Sequence, residues 1–117
     1  MIIGIGTRKG ITSEEVIAAI KEALFDAGVD LESVDTLASA KMKENEIGLI
    51  EAAQLLGIGI MFVPHDVLNV YDAPTLSEAS RFGLIGVAEP AALALSENKE
   101  LLLRKKVYGN VTIAIAK

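Results

Sequence analysis

The 117-residue chain has no cysteine and no tryptophan, three Phe, two Tyr, three Pro and one His, and its 16 Asp and Glu outnumber its 11 Lys and Arg. Each shortage removes a class of function. Without cysteine there is no disulfide framework, no thiolate metal site and no cysteine nucleophile, a usage that fits a cytoplasmic setting. The single histidine, His65, excludes a His-rich metal centre, and carboxylates alone would suit only hard cations. No metal or other cofactor is expected. A net charge of -5 offers no broad basic field for nucleic acid, and so few aromatic rings leave little platform for stacking unpaired bases. No apolar stretch approaches the length of a membrane span, and the N-terminus lacks a basic leader region, so neither insertion nor export is expected. What is present is apolar: 51% of the residues are hydrophobic, over a length that suits one domain, residues 1–117.

The apolar segments alternate with helix signals. Residues 1–6 read as a buried strand, and 13–27 as an amphipathic helix on which Val16, Ile17, Ile20 and Leu24 keep helical spacing. Thr12 and Glu15 have capping-box spacing before it, and Gly28 ends it. A second strand is expected at 35–40, then a Lys41-to-Asn45 loop, a helix from about Glu46 closed by Gly57, and a third strand from Ile58 to Val63 stopped by Pro64. His65 and Asp66 open a short helix. Pro74-Thr75-Leu76-Ser77-Glu78 carries another capping-box spacing, and Val87 to Ser96, with Pro90 in its first turn, reads as an alanine-rich helix. Leu101–Tyr108 and Val111–Ala116 flank Gly109-Asn110, a hairpin pattern, and the last strand is small or apolar on both faces, as an interior strand would be. The expected fold is α/β, with a mixed, mainly parallel sheet ending in a C-terminal β-hairpin.

Ligands of open α/β sheets lie outside the carboxyl ends of the parallel strands. Three loops fit that description: Thr7 to Gly10, Ser39 to Asn45, and Pro64 to Asp66. The first two would bring Arg8, Lys9, Lys41 and Lys43 to one rim on an otherwise acidic protein, a pattern suited to an anionic small molecule. Gly6, Thr7 and Gly10 complete the first loop, whose backbone N–H groups at a helix start form a seat for an anion. Lys41 and Lys43, two apart in an extended loop, would point the same way. Gly4-x-Gly6-x-x-x-Gly10 matches neither the dinucleotide fingerprint nor the Walker pattern, and its glycines are equally read as permitting a tight strand-to-helix turn. Glu14 and Glu15 suit helix capping and the helix dipole. Glu89, before Pro90, suits a cap or an acid–base carboxylate in a cleft. Ser39 and Ser77 have no base beside them in sequence, and no catalytic constellation stands out.

Four segments together carry a family pattern: Gly4-Ile-Gly6-Thr7-Arg8-Lys9-Gly10 with Glu14-Glu15; Lys43-Glu-Asn-Glu46-Ile-Gly48-Leu49; Val87-Ala-Glu89-Pro-Ala-Ala-Leu; and Gly109-Asn110-Val-Thr-Ile-Ala-Ile-Ala. In this order, over nearly the whole chain, they resemble the CobE family and the C-terminal domain of CbiG, proteins of cobalamin (vitamin B12) biosynthesis. Thr7 departs from that pattern, where members often place cysteine. The resemblance implies a three-layer α/β/α fold. It also implies a link to an enzyme that opens a ring lactone of a cobalt-precorrin with water and releases acetaldehyde, and that carries a further N-terminal domain absent from the resemblance.

A precorrin is a flat apolar macrocycle ringed by carboxylate arms, so the resemblance gives the cationic rim a ligand. Arg8 would fork onto one carboxylate, Lys9, Lys41 and Lys43 would meet others, and the Gly6-to-Gly10 backbone would add donors. The expected role is binding a corrinoid intermediate, alone or as one half of a split cobalt-precorrin hydrolase working with a separate N-terminal domain, with no activity expected of this chain alone. In that setting the same donors would stabilise an oxyanion and Glu89 would activate water. An alternative is a non-catalytic domain that docks onto other cobalamin-pathway enzymes through the 87–96 helix. A third is a phosphate or nucleotide binder using the first helix start.

Overall fold

The computed structural model describes residues 1–71 and 86–117. The elements follow in the order β1 (Ile2–Thr7), α1 (Ser13–Ala27), β2 (Thr36–Ala40), α2 (Ile47–Leu56), β3 (Gly59–Val63), α3 (His65–Val70), α4 (Ala88–Leu95), β4 (Leu101–Tyr108) and β5 (Val111–Ala116). The helix start expected at Pro74 to Glu78 lies outside the described residues. The strands form one five-stranded sheet in the order β3-β2-β1-β5-β4. β1, β2 and β3 pair in parallel, while β5 runs antiparallel to both β1 and β4. Four strands therefore share one direction and β5 alone opposes them, which is the mixed sheet with a closing hairpin.

Local chemistry explains the helix ends. Thr12 Oγ1 accepts the Glu15 N–H at 3.2 Å, and Glu15 Oε2 accepts the Thr12 N–H at 3.0 Å, the reciprocal pair of a capping box. Gly28 and Gly57 end α1 and α2 in the left-handed region, where a side chain would be strained. Lys41–Lys43 is not extended: it winds into a 3-10 turn, with the Glu44 N–H donating to the Lys41 carbonyl. At three residues per turn, positions two apart diverge by about 120°, so Lys41 and Lys43 do not project together.

The two faces of the sheet differ in character. On one, Ile3, Ile5, Leu37, Ile113 and Ile115 pack against Val16, Ile20 and Leu24 of α1 and Leu49 and Ala53 of α2. On the other, Ile2, Ala38 and Ala116 meet Ala91, Ala92 and Leu93 of α4, with Leu68 of α3 beside Val63. Helices thus cover both faces, giving the three-layer sandwich. Small residues on the second face let α4 come very close to β1. A Cβ on Gly4 would overlap the Ala88 carbonyl oxygen and lie 2.7 Å from the Ala92 nitrogen. Gly4 therefore serves helix-on-strand contact, whereas Gly6 has room for a Cβ and Gly10, at φ +79, serves the turn.

Candidate functional site: a cationic cleft at the N-terminus of the fourth helix

The turn after β1 attracts an anion, but that anion is supplied from within the chain. The Gly10 N–H lies 3.2 Å from Glu46 Oε2 and 3.3 Å from Oε1, and the Thr12 N–H is held by Glu15. The seat at the start of α1 is thus filled by two of the protein's own carboxylates. Glu46, the residue before α2, is engaged in this contact and makes no side-chain cap on its own helix. A Cβ on Gly48 would overlap the Ile11 carbonyl oxygen, so the start of α2 sits directly on the same loop. Lys9 and Lys43 meet here, lining a depression of about 370 Å³ with Met42, Asn45 and Glu46.

A larger opening, about 520 Å³, lies on the other side of the Arg8 loop. Gly6, Thr7 and Arg8 form one wall, Gly86 to Ala88 at the start of α4 a second, and Lys105 and Val107 of β4 a third. The register Gly6↔Thr112 places Thr112 beside Gly6, and both line the opening. The Lys105 ammonium stands 3.7 Å from where a Cβ on Gly86 would be. Among the described residues, the lining holds two cations and no acid. The N-terminus of α4 adds the positive end of its dipole. The Thr7 hydroxyl oxygen is buried with no hydrogen-bond partner among the described residues. The Arg8 N–H donates to the Asn110 carbonyl at 3.4 Å, tying this loop to the β4–β5 turn. Asn110 Nδ2 in turn donates to Glu15 Oε1 at 3.1 Å. The Thr12 backbone N–H, and then the Asn110 amide, hold the Glu15 carboxyl below its ordinary range.

The residues singled out in the sequence are therefore divided. Gly6, Thr7 and Arg8 share the cleft; Lys9 and Lys43 share the shallower depression, next to Gly10's bond to Glu46. Lys41 is exposed and lines neither. Ser39 is wholly buried, and its hydroxyl donates to the Ile5 carbonyl at 2.7 Å, stitching β2 to β1. Glu89 is wholly buried within α4, where its Oε2 accepts the Lys105 N–H at 3.1 Å. It fixes the strand that supplies Lys105 instead of capping its helix. Sequence reasoning passed over Lys105 itself. Register shifts between Leu101 and Leu103, and again between Leu103 and Lys106, break the simple alternation of β4, so its facing could not be counted from the ends.

Residues 1–116 match the model of a protein family described as Cobalamin synthesis G C-terminus. The chain belongs to that family. It is 32% identical to a cobalt-precorrin-5A hydrolase of Priestia megaterium over 99% of its own length, but spans only 32% of that relative. It is 33% identical to the protein CobE of a Sinorhizobium species, spanning 99% of this chain and 79% of that protein. A crystal structure of CobE, from the cobalamin biosynthetic pathway, superposes with a TM-score of 0.84 at 35% identity, covering 97% of this chain and 86% of that one. This is a cobalamin-biosynthesis domain related to cobalt-precorrin-5A hydrolases, and no helix among its described residues is long and apolar enough to cross a membrane.

Proposed function

We propose that this domain binds a corrinoid intermediate of cobalamin biosynthesis by gripping the carboxylate arms along one edge of the macrocycle. The observation that carries this reading is the pairing of Arg8 and Lys105 in one cleft of a net-acidic chain, with no acid among the described residues that line it. Arg8 offers a planar fork to one carboxylate and Lys105 a point charge to a second. The start of α4 adds the positive end of its dipole between them. The cleft, at about 520 Å³, is of a size for part of a macrocycle, leaving the remainder exposed to a second protein surface. Lys9 and Lys43, in the neighbouring depression, extend the positive rim for arms further round the ring.

The names of the relatives support a cobalt-precorrin as the corrinoid. The domain matches only 32% of the longer relative, so the role proposed for residues 1–117 is binding, with any hydrolysis needing the rest of such a protein as well. Glu89 acts as a positioning residue for Lys105, its carboxylate being engaged with the β4 backbone.

Cobyrinic acid, a stable cobalt corrinoid with free carboxylates, tests the proposal when titrated into the protein and followed by visible absorption. The free acid should bind and its methyl ester should not. Arg8→Ala and Lys105→Ala should each weaken binding about tenfold or more, the value of a charge-assisted hydrogen bond. Equal binding of acid and ester, or unchanged affinity in the double variant, would discard the cleft as the site.

A further inference from the structure

Asn110 joins two contacts that hold the loop between β1 and α1. Its backbone carbonyl accepts the Arg8 N–H at 3.4 Å, one residue beyond the last β1–β5 pair, Thr7↔Val111. Its side-chain amide donates through Nδ2 to Glu15 Oε1 at 3.1 Å. Glu15 divides its oxygens: Oε1 goes to Asn110, while Oε2 accepts the Thr12 N–H and the Thr12 hydroxyl, both at 3.0 Å. One carboxylate therefore pins the loop at both ends, directly at Thr12 and through Asn110 at Arg8. Glu46 holds its middle at Gly10. The hairpin itself does not call for asparagine here. Asn is favoured in turns partly because it tolerates the left-handed backbone, but Gly109, at φ +64, takes that conformation and Asn110 does not. A two-residue turn with glycine in its first place leaves the second open to many residues. The use made of the Asn110 amide is its bond to Glu15.

We infer that Asn110 is a positioning residue for Arg8: its amide, anchored on Glu15, fixes the turn whose carbonyl holds the Arg8 backbone, so that the guanidinium meets its carboxylate already in place. This role rests on the reading of the cleft as the corrinoid site. Gly109 and Asn110 line that cleft together with Arg8, and with Glu15 they line a smaller depression of about 240 Å³. The turn thus stands between the cleft and its own anchor, and Glu15 is not among the residues lining the cleft. The choice of an amide follows from charge. A carboxylate set directly against the guanidinium would compete with the carboxylate of the ligand, whereas a neutral amide passes on the geometry of Glu15 without its charge. Holding a long side chain and its loop ready before binding removes an ordering cost that the complex would otherwise bear.

Two measurements on the full chain decide the matter. Backbone amide relaxation by NMR reads Arg8 without ligand: its N–H order parameter should fall from about 0.85 in the wild type to below about 0.6 in Asn110→Ala, with Ile113 and Ile115 unchanged. Titration with cobyrinic acid reads the consequence. Asn110→Ala should weaken binding about three- to tenfold, the cost of ordering Arg8 at the moment of binding, and should weaken it no further in an Arg8→Ala background. An Arg8 N–H that stays rigid in Asn110→Ala overturns the inference, and so does full affinity in that variant. An equal loss in the Arg8→Ala background also overturns it, because Asn110 would then act independently of Arg8. If the wild type does not bind cobyrinic acid, the reading of the cleft falls, and the order parameter alone decides whether Asn110 holds Arg8. Should Asn110→Ala fail to fold, Asn110→Ser, whose hydroxyl ends one bond short of the amide nitrogen, is judged by the same two readouts.

Discussion

Tyr108 illustrates how one side chain ties stability to pH. Its hydroxyl donates to Asp26 Oδ2 at 2.8 Å, and Lys106 Nζ reaches the same oxygen at 2.7 Å. Burial pushes the Tyr108 hydroxyl far above its usual range, with the bond to Asp26 adding to the shift. The Lys106 hydrogen bond, followed by that of Tyr108, holds Asp26 below its usual range. Folded Tyr108 thus keeps its proton where an unfolded tyrosine loses it, near pH 10. The corresponding stability is intact below that pH and declines as the pH rises past it. Asp26 works in the other direction: its contribution is present at neutral pH and disappears as the pH falls through its lowered folded value. Urea midpoints measured between pH 8 and 11 should therefore fall, and Tyr108→Phe should fall less steeply over the same range. Glu89 offers a second case. Glu89→Ala leaves the Lys105 N–H without its buried acceptor and should cost about 1–3 kcal/mol in urea unfolding, while Glu89→Gln, which keeps an amide oxygen, should cost less.

At the level of elements, α4 lies so close to β1 that Gly4 has no room for a side chain. Gly4→Ala would drive a methyl group into the backbone of α4 at Ala88. Overpacking of this kind costs about 1–3 kcal/mol or more, so the variant should melt about 10 °C or more below wild type in calorimetry. Gly10→Ala strains only an open turn with nothing within 4 Å and should cost about 1–2 kcal/mol. The elements themselves were legible because each carries local signals: the Thr12/Glu15 box, the closing Gly28 and Gly57, the apolar run of β5. The site was legible in half. The Arg8 loop stood out because charge, glycine and a helix start coincide in ten residues. Lys105, which lines the same cleft, is almost a hundred residues away on a strand whose register shifts hide its facing. Glu46 and Ser39 were unreadable for a related reason. Each is spent on a backbone group of a distant segment, a use that leaves no local trace.

Taken whole, the molecule is acidic with a localised positive rim, so binding of a polycarboxylate should be salt-dependent. Raising ionic strength from 0.05 to 0.5 M should weaken cobyrinic acid binding severalfold, because screening acts on each exposed cation–carboxylate pair. Loss of that dependence in an Arg8→Ala, Lys105→Ala double variant would tie it to the cleft. The strand order has a further consequence. β5 follows β1 to β4 in the chain, yet it lies between β1 and β4 in the finished sheet. Until Val111 to Ala116 have left the ribosome, β1 has an open side and its isoleucines lack half their neighbours. The nascent sheet therefore cannot settle strand by strand; it must wait for β5, and deleting Val111 to Ala116 would dismantle its centre and not merely an edge.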